Sequence, residues 1–321
     1  YMTGDYTNYG YFSMVGNLWI DFGKNKQPVQ NYLRGIDLST SRGFVEYTQG
    51  GVQFNREYFC SYPDKLMALH FTADKAGKIS FSLSHSLVYP PEEVIESENG
   101  LTFNGIIRKN GLGYTIRIKI VQQGGSVKVA HQRIVVEKAN EATVFYAVDT
   151  EYAPVYPLYK GENPQQNTGK VITKAITKGY ETVKNTHISD YQTLYNRVRF
   201  TLTGDTASEQ LPTNMRVKQL QKGFTDDASL KVLGFNLSRY LLISASRPGT
   251  LPSTLQGVWN TFEKAPWNGN FQSNINLQEM YWGCGPTHLP ECEEAYLEWI
   301  EGLVEPGRQT AREYYGTKGW V

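Results

Sequence analysis

The sequence predicts a multidomain protein with β structure first and α structure after it: an N-terminal antiparallel β-sandwich, a helical linker and the first helices of an α-helical domain. Residues 1 to about 150 alternate apolar and polar side chains with period two, and helical periodicity begins near Lys170. Turn signals between the alternating segments also support the predicted sandwich. The 321 residues suffice for about two domains.

The strands of the sandwich are predicted from four alternating segments, at 52–59, 79–84, 114–120 and 134–137. Many short strands without intervening helices favour a sandwich over βαβ units. Hairpin turns are predicted where Asn-Gly or Gly-Gly supplies positive φ angles. These pairs are Gly50-Gly51, Asn99-Gly100, Asn104-Gly105, Asn110-Gly111 and Gly124-Gly125.

The helices follow a loop rich in Pro, Asn and Gln that is predicted over residues 154–169. One helix is predicted over roughly 227–246, with Pro248 and Gly249 behind it as stop signals. Its apolar face would comprise Leu230, Leu233, Leu237, Leu241 and Leu242. Another helix begins near Pro290, residues 305–307 break it, and a further helix starts at residue 308.

Composition and spacing exclude several classes of protein. Lys plus Arg number 32 and Asp plus Glu 31, a balance that argues against a nucleic-acid binder. No apolar run approaches the ~20 residues of a membrane span. The histidines and cysteines lack metal-ligand spacing, so neither a metal site nor a cofactor is predicted. Cys284 and Cys292 could pair, but small buried thiols are the favoured interpretation.

The candidate functional segment is the irregular stretch 247–288, which is rich in Asn, Gln, Trp and Gly. Carboxamides donate and accept hydrogen bonds without charge, and Trp rings stack on sugars, so this composition suits a hydroxyl-rich ligand. Asn274 and Asn276 would project side by side in extended backbone and could hold one water. Equally, these residues could cap helices or satisfy loop backbone, and the residues alone leave both interpretations open.

Carboxyl groups give a weaker signal than the carboxamides. Glycosidic cleavage usually needs two of them. Glu279, beside the amide pair, is retained as a candidate. The glutamates of the later helix are predicted to form its solvent-facing side; they are Glu293, Glu294, Glu298 and Glu301.

The sequence of the candidate segment and of the helix before it resembles glycoside hydrolase family 95, whose best-known members are α-L-fucosidases. The resemblance is carried by residues 235–249, 251–252, 255–260, 266–268 and by the run Asn274-Ile275-Asn276-Leu277-Gln278. Residues 187–192, 211–213 and 305–321 fit the family as well, weaker similarity extends back to 16–22, and the resemblance covers essentially the whole chain.

The resemblance implies three domains. Residues 1–165 would form the β-sandwich, incomplete at its start, residues 166–225 the helical linker, and residues 226–321 the first part of a truncated (α/α)6 catalytic barrel. It also implies export from the cell, to the periplasm or the medium.

The resemblance further implies an exo-acting, inverting, metal-free hydrolase that releases terminal α-L-fucose from glycans. Asn274 and Asn276 would position the attacking water, and Gln272, Trp259 and Trp267 are candidate sugar contacts. The catalytic Glu and Asp are expected downstream of Val321. Residues 1–321 alone are therefore expected to be inactive and to associate with the remainder of their own polypeptide.

The sequence departs from the family pattern at two places. Gln272 stands where members usually have His, and residues 279–285 read Glu-Met-Tyr-Trp-Gly-Cys-Gly in place of Met-Asn-Tyr-Trp-Pro-Ala-Glu. These differences leave two alternatives open: an α-L-galactosidase of the same family, or a non-catalytic glycan-binding protein.

Overall fold

The computed structural model describes residues 12–108, 110–204, 207–223 and 227–321. Within these ranges the strands come first and the helices follow, which confirms the predicted order of a β-sandwich and then helices. The strands are β1 (Gly16–Asp21), β2 (Val29–Asp37), β3 (Arg42–Gln49), β4 (Val52–Ser61), β5 (Leu66–Ala73), β6 (Ile79–Leu87), β7 (Glu93–Ser97), β8 (Gly100–Ile107), β9 (Leu112–Gln123), β10 (Ser126–Ala130), β11 (Arg133–Ala139) and β12 (Glu141–Thr150). The helices are α1 (Pro164–Lys178), α2 (Tyr180–Tyr195), α3 (Thr213–Gln221), α4 (Ala228–Ala245), α5 (Asn276–Tyr281) and α6 (Pro290–Tyr315).

The strands form two antiparallel sheets of unequal width. One has the order β1-β6-β11-β10, and the other has the order β2-β3-β4-β5-β12-β9-β8-β7. Their facing sides form the first core, in which Leu83, Ile116 and Ile134 are fully buried. Period-two alternation in the sequence therefore corresponds to strands with one side in this core.

The wider sheet also buries part of its outer side, against α1 and α2. In β12, Val144 and Tyr146 belong to the first core, whereas Phe145 and Ala147 pack with Ile172 of α1 in a second core. Burial on both sides explains why β12 is almost continuously apolar. The helical linker is thereby fixed on the sandwich.

Two local predictions about the sandwich and linker are wrong. Asn104-Gly105 lies inside β8 rather than in a turn, because the Tyr114 ring of β9 covers Gly105 so closely that a Cβ atom there would lie 2.6 Å from it. The loop predicted over 154–169 ends early, since Asn163 caps a helix that already begins at Pro164. The Asn163 side chain accepts hydrogen bonds from the backbone of residues 165 and 166, as an N-cap does.

Two predictions about the later helices are also wrong. The helix from Pro290 continues through Pro306 to Tyr315, and Gly307 on its next position is buried against the backbone of Val321. The predicted apolar face of α4 is partly exposed, with Leu237 at 40% and Leu241 at 37%. Helix α4 instead buries Ile243 and Arg239.

The third core joins α2 and α4 to the segment of interest. It contains Tyr191, Ile243, Leu277, Tyr281 and Cys292. No helix of the described ranges is long and apolar enough to cross a membrane. The domain boundaries after residues 165 and 225 stay predictions; the last strand ends at Thr150 and the first helix starts at Pro164.

Candidate functional site

The candidate segment is irregular between the end of α4 and the start of α5. Within it, Pro266–Gly269 form a short turn whose two central residues do not have right-handed helical backbone. Leu277 and Tyr281, one helical turn apart, are buried in the third core and fix α5 there. Asn276 is the first residue of α5 and is half-buried, whereas Asn274 lies exposed in the preceding turn.

The backbone at the asparagine pair is not extended. Residues 273–275 form a turn, and Ile275 has φ −161° and ψ −37°. Strand-like alternation therefore does not aim the two carboxamides side by side. Neither side chain caps α5, and Ile275, which occupies the N-cap position before the helix, makes no side-chain cap bond. Within the described ranges, neither the Asn274 nor the Asn276 side chain takes part in a hydrogen bond, so both carboxamides are available to a ligand.

Other residues hold the turn in place. The Gln278 side chain donates from Nε2 to the backbone carbonyl of Ser273 at 2.6 Å. The backbone N–H of Leu277 donates to the Gln272 carbonyl at 3.3 Å. Gln272 has a positive φ of 49°, and its side-chain amide donates to Asn270 Oδ1. One N–H donor of the Gln272 side chain is thus already engaged within the chain.

The two candidate tryptophans are exposed. Trp259 is 52% exposed and Trp267 is 67% exposed. Trp267 and Asn268 both adopt left-handed backbone, with φ of 50° and 58°. Such conformations cost roughly 1–3 kcal/mol each for residues other than glycine and concentrate at functional sites. Together with Gln272, they make 267–272 the most strained part of the segment.

A cavity of about 390 Å³ lies beside α5. None of the five predicted site residues lines it. Its lining comprises Gln278, Tyr281, Trp282, Gly285, Pro286, Glu293 and Tyr296. Sequence reasoning assigned no role to Gln278 and Trp282, although both stand in or beside the quoted motif.

A buried hydroxyl network anchors α5. The Tyr281 hydroxyl lies 2.8 Å from Ser246 Oγ and accepts from the Ser253 backbone N–H at 3.1 Å. Ser246 Oγ in turn donates to the Cys292 carbonyl at 2.7 Å. Burial raises the pKa of the Tyr281 hydroxyl, so it stays neutral and able to donate. The network ties α5 to the end of α4, to the loop after it and to α6.

Two arginines fix α4 to the linker and the sandwich. Arg239 is buried, and its guanidinium donates to the carbonyls of Leu194 and Tyr195 at the C-terminal end of α2. Arg247 forms a bidentate pair with Asp190 at 2.8 and 2.9 Å and lies 4.1 Å over the Tyr62 ring of the sandwich. The segment after α4 therefore starts from a rigid point.

The carboxyl groups near the segment are mostly exposed, and its neighbouring thiols are buried. Glu279 is exposed, and the α6 glutamates are mostly exposed as predicted, although Glu293 is half-buried. Arg197 pairs with Glu291 and lowers the pKa of that carboxyl to about 2. Cys284 and Cys292 are free and buried, which confirms the favoured interpretation. In the described part of the chain, no group of three or more His, Cys, Asp and Glu is arranged to hold a metal ion.

Two family models match the chain. Residues 179–321 match the model described as Glycosyl hydrolase family 95 catalytic domain. Residues 1–154 match the one described as Glycosyl hydrolase family 65, N-terminal domain. The boundary between the matches falls close to the change from strands to helices, and the whole candidate segment lies in the first of them.

Two curated relatives align with almost all of this chain. Alpha-L-fucosidase 2 of Arabidopsis thaliana is 32% identical over 340 residues, which cover 97% of the chain and 40% of the relative. Probable alpha-fucosidase A of Aspergillus niger (strain ATCC MYA-4892 / CBS 513.88 / FGSC A1513) is 31% identical over 334 residues, which cover 100% of the chain and 42% of the relative. The chain thus spans less than half the length of these relatives.

A solved structure shares the architecture. The putative kojibiose phosphorylase from human microbiome superposes with a TM-score of 0.61 at 12% identity, over 97% of this chain and 41% of that one. At this identity the likeness concerns the fold alone.

Proposed function

The chain belongs to glycoside hydrolase family 95 through residues 179–321, and from that membership we propose that the protein is an exo-acting glycoside hydrolase that releases terminal α-L-fucose from glycans with inversion. The names of the two aligned relatives support the sugar, and their alignments, at 31–32% identity, cover 97–100% of this chain. The single observation that carries the mechanism is the pair of carboxamides at the start of α5 that has no hydrogen bond to the rest of the described chain.

In the proposed mechanism, Asn274 and Asn276 hold the attacking water below the anomeric carbon. A carboxamide orients water but cannot take its proton at neutral pH, so a carboxylate acts as the base and a carboxylic acid protonates the leaving oxygen. Inversion requires about 6.5–9.5 Å between these two carboxyl groups, which leaves room for the water. We propose that residues 1–321 alone do not supply both carboxyl groups and therefore do not hydrolyse glycans.

Gln272, Trp259 and Trp267 are the proposed sugar contacts. Exposed indole rings offer flat apolar surfaces for the C–H faces of a sugar. The strained backbone at Trp267 supports a functional role, because strain persists where the surroundings impose it. Gln272 keeps its side-chain carbonyl oxygen for a sugar hydroxyl, since its amide nitrogen is the atom that donates to Asn270.

The stereochemical outcome tests the proposed mechanism. The natural full-length protein is mixed with an α-L-fucosylated oligosaccharide, and proton NMR is recorded before mutarotation. We expect β-L-fucose as the first product. First-formed α-L-fucose would overturn the inverting mechanism while leaving the hydrolase assignment intact.

The proposed role of the carboxamides has a separate test. Asn276→Ala should lower kcat by roughly a hundredfold or more, the order found for removal of one preorganised hydrogen-bonding group. Circular dichroism should remain that of the parent, because the Asn276 side chain bonds to no other described residue. Asn260→Ala, in the same loop region, serves as the control, and equal turnover in both variants would remove the role of Asn276.

Gln272 supports a second candidate sugar. L-Galactose differs from L-fucose by one hydroxyl at C6, and an amide carbonyl can accept a hydrogen bond from a hydroxyl. Comparing kcat/KM for α-L-fucosides and α-L-galactosides separates these activities. Binding of either sugar by calorimetry without product would instead favour a non-catalytic glycan-binding protein.

We also propose that the protein is exported, which fractionation of the producing cells tests.

A further inference from the structure

The turn that carries Asn274 has little support of its own. Helix α5 comprises only six residues, and the N-cap residue before it, Ile275, makes no side-chain cap bond. The local backbone bonds are Leu277 N–H to the Gln272 carbonyl at 3.3 Å and Glu279 N–H to the Ile275 carbonyl at 3.0 Å. Neither bond reaches Ser273 or Asn274.

The Gln278 side chain supplies the missing support. Its Nε2 donates to the Ser273 carbonyl at 2.6 Å, so one amide spans five residues and closes the turn from the helix side. Gln278 lies between Leu277 and Tyr281, which are 0% and 3% exposed and are fixed in the third core. The bond therefore connects the turn to the best-held part of α5.

The other end of the same amide is unsatisfied. Gln278 Oε1 is buried and has no hydrogen-bond partner among the residues that the structure describes. A buried acceptor without a partner costs stability, and an apolar side chain of similar length would avoid this cost. Unlike an apolar side chain, however, the glutamine can donate a hydrogen bond to the Ser273 carbonyl.

We propose that Gln278 is the positioning residue for the water-holding carboxamides: its bond to Ser273 fixes the turn so that Asn274 and Asn276 face the same water. This inference rests on the proposed function, because it assigns Gln278 a task in that reaction. Gln278 acts through the turn and does not contact the reacting atoms. A displacement of about 1 Å in such a group can cost a hundredfold in rate.

The test uses two variants in the natural full-length enzyme. Gln278→Met removes both the donor and the unsatisfied acceptor, so kcat should fall about tenfold to a hundredfold while the melting temperature stays the same or rises. KM should change less than about twofold, since the carboxamides hold water rather than sugar.

Gln278→Glu gives a second and independent readout. An ionised carboxylate cannot donate to the Ser273 carbonyl, but a protonated carboxylic acid can. The ratio of the variant's kcat to that of the parent should therefore rise as the pH falls. Gln278→Met should give a ratio that does not recover at low pH.

Gln49→Met provides the matched control. Gln49 Nε2 also donates to a backbone carbonyl, that of Gln27 at 2.8 Å, but it does so in the β-sandwich. Its kcat should equal that of the parent. Parental kcat in Gln278→Met, or a fall in kcat that occurs only together with a fall in melting temperature, would overturn the positioning role alone. A parent enzyme without hydrolysis would overturn the proposed function and this inference together.

Discussion

Removing the Tyr281 hydroxyl tests whether α5 is held by the buried network rather than by apolar packing alone. Tyr281→Phe keeps the ring and its stacking on Tyr296, whose centroid lies 5.2 Å away. The Ser253 N–H loses its hydroxyl partner in a site that is 8% exposed. Ser246 Oγ retains its bond to the Cys292 carbonyl, so it loses one interaction of two.

The expected cost follows from these two losses. A buried N–H left without a partner costs about 1–3 kcal/mol, and a lost neutral hydrogen bond about 1 kcal/mol. Partial relaxation of the loop reduces the sum, so we expect Tyr281→Phe to lower the free energy of unfolding by about 2 kcal/mol. With a urea dependence of about 2 kcal/mol per molar, the midpoint falls by about 1 M.

Tryptophan fluorescence in urea is the appropriate assay. Five of the six tryptophans lie between residues 259 and 320, so the signal reports on the region around α5 and α6. Tyr314→Phe, at a position 47% exposed, is the control and should shift the midpoint little. Adding Ser246→Ala to Tyr281→Phe should cost less than the sum of the two single changes, because they share one bond. A shift below about 0.2 M for Tyr281→Phe would refute the network's role.

Three further predictions concern pH and backbone space. Burial lowers the pKa of His70 from 6.5 to about 4, so its neutral form stabilises the fold above pH 6.5 and this contribution is lost as the pH falls towards 4. In His70→Gln, the melting temperature should therefore depend less on pH between 6.5 and 4 than it does in the parent. The Arg197 hydrogen bond lowers the pKa of Glu291 from 4.5 to about 2, so the ion pair stabilises the protein above pH 4.5 and is lost as the pH falls towards 2; Glu291→Gln should reduce the acid-induced drop in the urea midpoint there. Gly234 in α4 has open space where a Cβ would lie, so Gly234→Ala should raise the free energy of unfolding by about 0.5–1 kcal/mol in urea titrations. Gly105→Ala should lower the free energy of unfolding, because a Cβ there would lie 2.6 Å from a ring of the neighbouring strand. Equal effects of the two substitutions would contradict the close approach at Gly105.

The sandwich could be predicted because burial of one side of a strand leaves a period-two signal. The exceptions have physical reasons outside that signal. Gly105 marks the close approach of a neighbouring ring and not a turn. Pro306 lies within α6, where the following Gly307 is buried against the chain's last residues, so tertiary packing outweighs a local breaker.

The α4 face was mispredicted because it was assigned from the leucine pattern alone, whereas the buried residues of this helix are Arg239 and Ile243. The buried Arg239 guanidinium donates to two carbonyls at the end of α2. The sequence of α4 does not indicate that these acceptors on another helix lie beside it. Similarly, the motif predicts that Asn274 and Asn276 matter, but their orientation depends on the Ile275 backbone and on the Gln278 contact.

A crystal structure of the natural full-length protein with L-fucose bound tests the central claim most directly. The account predicts one ordered water within hydrogen-bonding distance, about 2.7–3.2 Å, of both the Asn274 and the Asn276 carboxamides and on the side of the anomeric carbon opposite the leaving group. Carboxamides that point away from the sugar, or that bind only their own backbone, would contradict it.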